Sequence, residues 1–197
     1  MYFQTQIASV LARVRQSAAP IVSMSRAVHL LLLLIPFVLF RVWLSLRAGI
    51  TIDGDGAAQV GELLGRYWTG EATWEQITGT GGVVNLFLAD RGTQLLYPLL
   101  ISLQGPIGWS LETHILVLNT FLGATMVTGS YYVGLRLSGK TYAVLTALLS
   151  CSLTPLYGIS RAAVVDNLFY AMLPLVLLTL INWLRHRTST RLLLMTG

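Results

Sequence analysis

The run VHLLLLLIPFVLFRVWLSL, Val28 to Leu46, decides the class of this chain. A bilayer core asks for about 20 consecutive, mainly apolar residues in a helix. This stretch supplies them, interrupted only by Pro36 and Arg41. Proline is tolerated in membrane helices, and Arg41 sits toward the C-terminal end of the run, where a long cation can snorkel to the headgroups. A secretory signal peptide is the rival reading. The run exceeds the usual apolar region of about 7–15 residues, and no small-residue cleavage site follows it, so a retained helix is expected.

The whole composition agrees. Of 197 residues, 54% are hydrophobic and 11% charged, with a mean hydropathy of +0.68. Soluble domains carry about 25% charged residues, and a charge-poor surface of this kind suits lipid rather than water. The net charge is +5, but the arginines flank apolar runs. No basic and aromatic groove for nucleic acid is interleaved among them. The single cysteine, Cys151, lies inside an apolar run and excludes an internal disulfide; helix packing is its expected role.

Working outward, residues 3–14 place Phe3, Ile7, Val10, Leu11 and Val14 at helical spacing beside Arg13 and Arg15, an amphipathic surface helix. After the first run comes a long polar stretch, 47–110. Within it Val60, Leu63, Leu64, Tyr67 and Trp68 fall on one helical face, and Trp74 and Ile77 continue the pattern. Short helices at a membrane interface fit, since Trp and Tyr favour that depth. Gly79, Gly81 and Gly82 signal a turn. The segment Leu95–Leu103 is apolar but too short to span, and reads either as a segment dipping toward the membrane or as the start of a helix that breaks at Gly105–Pro106. Further spans are expected at about 115–135, 142–160 and 164–184, before the basic tail 185–197. The expected fold is therefore an all-α integral membrane protein: a cytoplasmic segment 1–27, then a transmembrane domain 28–184 with about four transmembrane helices. The outer loop carries interfacial helices, and the tail leads into a truncated next helix.

With the N-terminus in the cytoplasm, Arg13, Arg15, Arg26, Arg136, Lys140, Arg185, Arg187 and Arg191 all fall inside, as the positive-inside rule asks. All eight acidic residues (Asp53, Asp55, Glu62, Glu71, Glu75, Asp90, Glu112, Asp166) then fall outside. The long loop and its junction with the second span explain seven of them. They do not explain Asp166, which sits in a short apolar connection.

Asp53 and Asp55, in ITIDGDGAAQ, follow the first span closely, where a carboxylate can reach groups held at the membrane surface. The plainer role for Asp55 is the N-cap of the amphipathic helix behind it. Asp166, five residues after Arg161, is either a functional ionisable group or the N-cap of the last span. Arg47, Arg66, Arg91 and Arg161 are the outer cations; a guanidinium binds phosphate in a forked manner, while interfacial snorkelling is the ordinary alternative. His114 stands near Glu112 and makes a metal site only if Asp53 or Asp55 joins it. His29 and His186 read as interfacial residues, and Gly123 and Gly129 as helix-packing contacts. Neither a Ser-His-Asp set, a zinc-protease motif, a phosphate-binding loop nor a dinucleotide fingerprint occurs.

Taken in order, DGDGAAQVGELLGRYWTG, RGTQLLYPLLISLQGPIG, GLRLSGK and TPLYGISRAAVVDNLF resemble the N-terminal half of a GT-C-fold glycosyltransferase. The likeness is to the family of protein mannosyltransferases and the lipid A aminoarabinose transferase, and covers roughly residues 28–184. That family often has Asp-Glu in the first motif, where this chain has Asp-Gly twice, which leaves the register between Asp53 and Asp55 open; Asp55 is favoured. The resemblance implies inverting transfer of a sugar from a polyprenyl-phosphate-linked donor to a lipid, glycan or protein acceptor. It implies an outer-loop Asp as general base, and the outer face of a bacterial cytoplasmic (inner) membrane as the location. Asp166, Arg161 and Arg91 would form a donor-phosphate or second acidic site. A divalent metal ion, with Asp53, Asp55 and His114 as candidate ligands, is the one cofactor these residues invite. Such enzymes have more spans, and RLLLMTG resembles the start of a fifth helix, so a fragment is expected. The rivals are a non-catalytic membrane subunit or scaffold, and a transporter, which would place ionisable groups near the bilayer midplane.

Overall fold

A computed structural model describes residues 25–49, 56–79, 84, 95–156 and 166–185. The expected surface helix at 3–14, the tail beyond Arg185, and Asp53, Asp55, Arg91 and Arg161 lie outside these residues. The described residues are nearly all helical, with no strand among them. Among the described residues eight helices follow one another: α1 (Arg26–Ala48), α2 (Ala57–Trp68), α3 (Trp74–Thr78), α4 (Leu96–Ser102), α5 (Gln104–Ile107), α6 (Leu111–Ser138), α7 (Lys140–Leu156) and α8 (Asp166–Arg185).

Local chemistry sets many of the boundaries. Ser25 and Ser110 cap α1 and α6, each side chain accepting a backbone N–H three residues on. Thr73 and Gln76 form a reciprocal capping box on α3. Gly139, at φ 87°, closes α6 and lets the chain reverse into α7 after one residue. The apolar segment after Leu95 does not break at Gly105–Pro106. Its break falls at Leu103, and α5 runs through both residues to Gly108. Pro106 is tolerated there because it occupies the first turn, where its missing N–H has no helical partner to lose.

Four long helices, α1, α6, α7 and α8, form a bundle. Their directions follow from paired contacts. His29 meets Tyr131 while Phe37 and Arg41 meet Gly123, so α1 runs antiparallel to α6. The Thr146 hydroxyl lies 3.0 Å from the Ser130 carbonyl, and Gly134 faces Tyr142 and Ala143, so α7 folds back along α6. Asn119 meets Asn167 and Gly129 meets Pro174, so α8 runs parallel to α6. One end of the bundle therefore gathers Arg26, Arg136 and Lys140. The other gathers the first turns of α6 and α8, with Glu112 and Asp166.

Glycine makes these approaches. A Cβ at Gly129 would stand 2.8 Å from Pro174, and one at Gly123 would meet the Arg41 guanidinium and the Phe37 ring. Both glycines are packing contacts, as expected. Cys151, half-buried, packs against the cluster of Phe37, Val127, Tyr131, Ala143 and Ala147.

Among the described residues two helices are long and apolar enough to cross a membrane, Arg26–Arg47 and Asp166–Leu184. In each, only 17% of the most apolar stretch is buried, whereas the core helix of a soluble protein would hide most of it. Exposed Leu31, Leu32, Leu39, Phe169 and Val176 leave an apolar surface that water would not tolerate but hydrocarbon would. α1 is also seated in the bundle through buried His29, Phe37, Arg41 and Ser45, which a detached leader peptide would not require.

Candidate functional site

The short helices α2 to α5 sit at the end of the bundle where α8 begins. The face of α2 expected from spacing is the one that packs: Val60 and Leu64 are buried, and Leu63 and Tyr67 half-buried, in a cluster with Ile77, Tyr97, Ile101 and Ile115. If water is the alternative, each fully buried aliphatic side chain contributes about 1.5–3 kcal/mol. Trp68 points outward but donates its indole N–H to Ser102 Oγ at 3.0 Å. Gly61, Gly65 and Gly105 bring α2 against α4 and α5 almost backbone to backbone. A Cβ at Gly61 would stand 2.5 Å from Ile101 Cγ2, and one at Gly105 would run into the Gly65 carbonyl.

A polar knot ties this roof to the bundle. The Tyr97 hydroxyl on α4 donates to Asn119 Oδ1 on α6 at 2.7 Å. Asn167 Nδ2 on α8 donates to the same oxygen at 3.2 Å. All three side chains are buried. Asn167 is the neighbour of Asp166, the first described residue of α8, whose carboxylate is exposed. A negative charge in that first turn is favoured by the unpaired N–H groups there.

The N-cap position of α2 is Gly56, in the left-handed region at φ 80°, with no side-chain capping bond; Asp55, weighed for that role, lies outside the described residues. His114 is buried rather than exposed beside Glu112. Its Nε2–H donates to the Leu100 carbonyl at 2.9 Å, and Trp109 packs on its ring. A carbonyl only accepts, so Nε2 carries a proton, and Nδ1 has no hydrogen-bond partner among the described residues. No group of three His, Cys, Asp or Glu side chains able to hold a metal occurs among the described residues. His114 is one ligand of the divalent-ion set expected from sequence; Asp53 and Asp55, the others, are outside the description.

Two residues sit differently from expectation. His29 is drawn into the bundle: it is 1% exposed and shares a 2.9 Å hydrogen bond with the Tyr131 hydroxyl. Arg41 does not snorkel. It is 3% exposed, with its guanidinium 5.4 Å from the Phe37 ring centroid, turned toward Gly123. Desolvating a guanidinium inside a helix bundle is costly, and a cation–π contact returns part of that cost. Asn119 and Asn167 were not singled out from sequence, although an amide within an apolar run is itself a signal.

A cavity of about 570 Å³ opens beside this knot, among α6, α7 and α8, with Arg41 of α1 in its wall. A second, of about 470 Å³, lies between α2 and α5, bordered by Glu62, Arg66, Glu71, Gln104 and Trp109. There Arg66 Nε stands 3.9 Å from Glu71, both well exposed, a pair worth at most about 1 kcal/mol. Comparison of the chain with protein-family models, curated proteins and solved structures gives no match.

Proposed function

We propose that this chain is the N-terminal part of a membrane glycosyltransferase of GT-C type. It would transfer a sugar from a polyprenyl-phosphate donor to an acceptor at the outer face, with about four spans (α1, α6, α7 and α8) and the N-terminus in the cytoplasm. The observation that supports this reading is the Tyr97–Asn119–Asn167 knot, which draws two separate connections of the chain to one end of the bundle. The loop that contains Asp53 and Asp55 leads directly into α2. The connection that contains Arg161 ends at Asp166. A site built from carboxylates of both connections needs them at the same end, and the cation-rich end with Arg26, Arg136 and Lys140 is the opposite one, in keeping with a cytoplasmic location.

In this reading Asp55, or Asp53, takes the proton of the acceptor hydroxyl as it attacks the anomeric carbon with inversion. The lipid phosphate leaves with the bonding electron pair, its charge met by Arg161 or Arg91. The test is lipid-linked sugar transfer by the full-length protein with Asp55→Asn and Asp53→Asn made separately. Loss of about 100-fold or more in one of them, with transport to the membrane unchanged, is the expected result for a general base. Wild-type rates in both defeat the assignment and leave the non-catalytic scaffold.

A further inference from the structure

The cleft of about 470 Å³ between α2 and α5 takes no part in the transfer step. Asp53 and Asp55 precede the first turn of α2, whereas the cleft lies along its second half. Glu62, Arg66 and Thr69 follow one another at four and three residues, so they share one side of that helix. Glu71 joins them from the turn that follows, and Gln104 and Trp109 border the cleft at the two ends of α5. Gly65, Gly105 and Gly108 also line it and, having no side chains, leave it room. Arg66 Nε stands 3.9 Å from Glu71, beyond hydrogen-bond reach. The side chains of Glu62, Arg66, Gln104 and Trp109 make no hydrogen bond among the described residues. Trp109 packs against His114 yet stays 44% exposed. Two carboxylates against one guanidinium leave the cleft net negative. Beside it runs an apolar strip. Leu96, Leu99, Leu103 and Ile107 recur at helical spacing through α4 and α5, and all four are exposed. Gln104 and Gly108 of the cleft are next to Leu103 and Ile107 in the chain.

We propose that this cleft holds the headgroup of a zwitterionic phospholipid, with its acyl chains along the exposed strip of α4 and α5. The ammonium is taken by Trp109 and the carboxylates of Glu62 and Glu71, since an indole face and a carboxylate both attract a cation. The phosphate is taken by Arg66, whose fork of N–H groups matches two phosphate oxygens. The excess of carboxylates selects against a headgroup that carries only negative charge. The strip selects an amphiphile over a soluble polar molecule, because only an amphiphile gains from covering it. Depth agrees as well: Trp68 and Trp74 are exposed on the neighbouring turns, and tryptophan favours the level of the headgroups. Neither sugar nor acceptor enters this site, nor do Asp53 and Asp55, so it and the transfer reading can fail separately.

The probe is phosphatidylethanolamine bearing a diazirine in one acyl chain, photolysed with the purified full chain in neutral maltoside micelles. The expected result is labelling of peptides from 96–109. Unlabelled phosphatidylethanolamine should displace it at concentrations about fivefold or more below phosphatidylglycerol of the same chains. Glycerophosphoethanolamine, the headgroup without chains, should displace it far less. Trp109→Leu should weaken the binding of phosphatidylethanolamine about three- to fivefold, as loss of an exposed cation–π contact implies. Glu62→Gln with Glu71→Gln leaves Arg66 unopposed and should reverse the preference toward phosphatidylglycerol. All three positions are exposed, so these variants keep the fold. Labelling spread evenly over the exposed face of α1 would overturn the site. Equal displacement by phosphatidylglycerol in the unaltered chain, or an unchanged preference in the double variant, would overturn the zwitterion. Equal displacement by glycerophosphoethanolamine would overturn the lipid.

Discussion

Replacing Tyr97 by Phe removes one oxygen and nothing else, and the structure says what that oxygen holds. The Tyr97 ring is 1% exposed and its hydroxyl donates at 2.7 Å to Asn119, itself 2% exposed. A hydrogen bond contributes about 0.5–1.5 kcal/mol net in a folded protein, and about 0.6 on average between membrane helices. Position at the end of the bundle, under α2, places this bond between those settings, so a coupling of about 0.6–1.5 kcal/mol is expected. Asn119→Ala costs more, about 2–3 kcal/mol, because it withdraws the acceptor from both Tyr97 and Asn167 and leaves a hole. The coupling is isolated by combining the two changes: Tyr97→Phe should cost less in the Asn119→Ala background than alone, by the value of the bond. Equilibrium unfolding in maltoside micelles with rising dodecyl sulfate, followed by tryptophan fluorescence, reads each difference. Thr125→Val is the control, since its hydroxyl bonds only the Phe121 carbonyl of its own helix at 2.9 Å. A coupling within about 0.3 kcal/mol of zero would refute the idea that this bond ties α4 to α6.

Gly105→Ala should destabilise by about 1–2 kcal/mol in the same assay. The added carbon meets the Gly65 backbone, which cannot swing aside, and the overpacking outweighs the better helix propensity of alanine. A stabilised variant would mean that α2 and α5 are not in close approach. Topology is read with a membrane-impermeant maleimide in a Cys151→Ala background: Asp166→Cys should react from outside intact cells and Lys140→Cys only after permeabilisation. Labelling of both from one side would sink the crossing of α7.

What could be read from sequence was what repeats along one helix. The spacing of Val60, Leu63, Leu64, Tyr67 and Trp68 marked the packed face of α2 except at Trp68, which is exposed, and the four apolar runs marked α1, α6, α7 and α8 to within a few residues. The small residues Gly123 and Gly129 announced close packing without saying against what. Pairings across the chain were not legible. A single sequence does not reveal Tyr131 as the neighbour of His29, or Gly123 as that of Arg41. The break after Leu95 was misplaced for a related reason. Gly105 looks like a breaker in isolation, but its absent side chain is what admits Gly65. Of the candidate site, Asp166 and His114 are described, the first exposed and the second buried, while Asp53, Asp55, Arg91 and Arg161 are not.

The inward turn of Arg41 has a consequence for how α1 finds its depth. Leucines exposed around that helix are equally content against lipid or protein, so they say little about how far it should slide or rotate. The guanidinium is not indifferent. Moved by one helical turn, about 5.4 Å, it would leave the notch at Gly123 and face larger side chains or hydrocarbon. One buried guanidinium thus acts as the detent that holds an otherwise slippery rod in place.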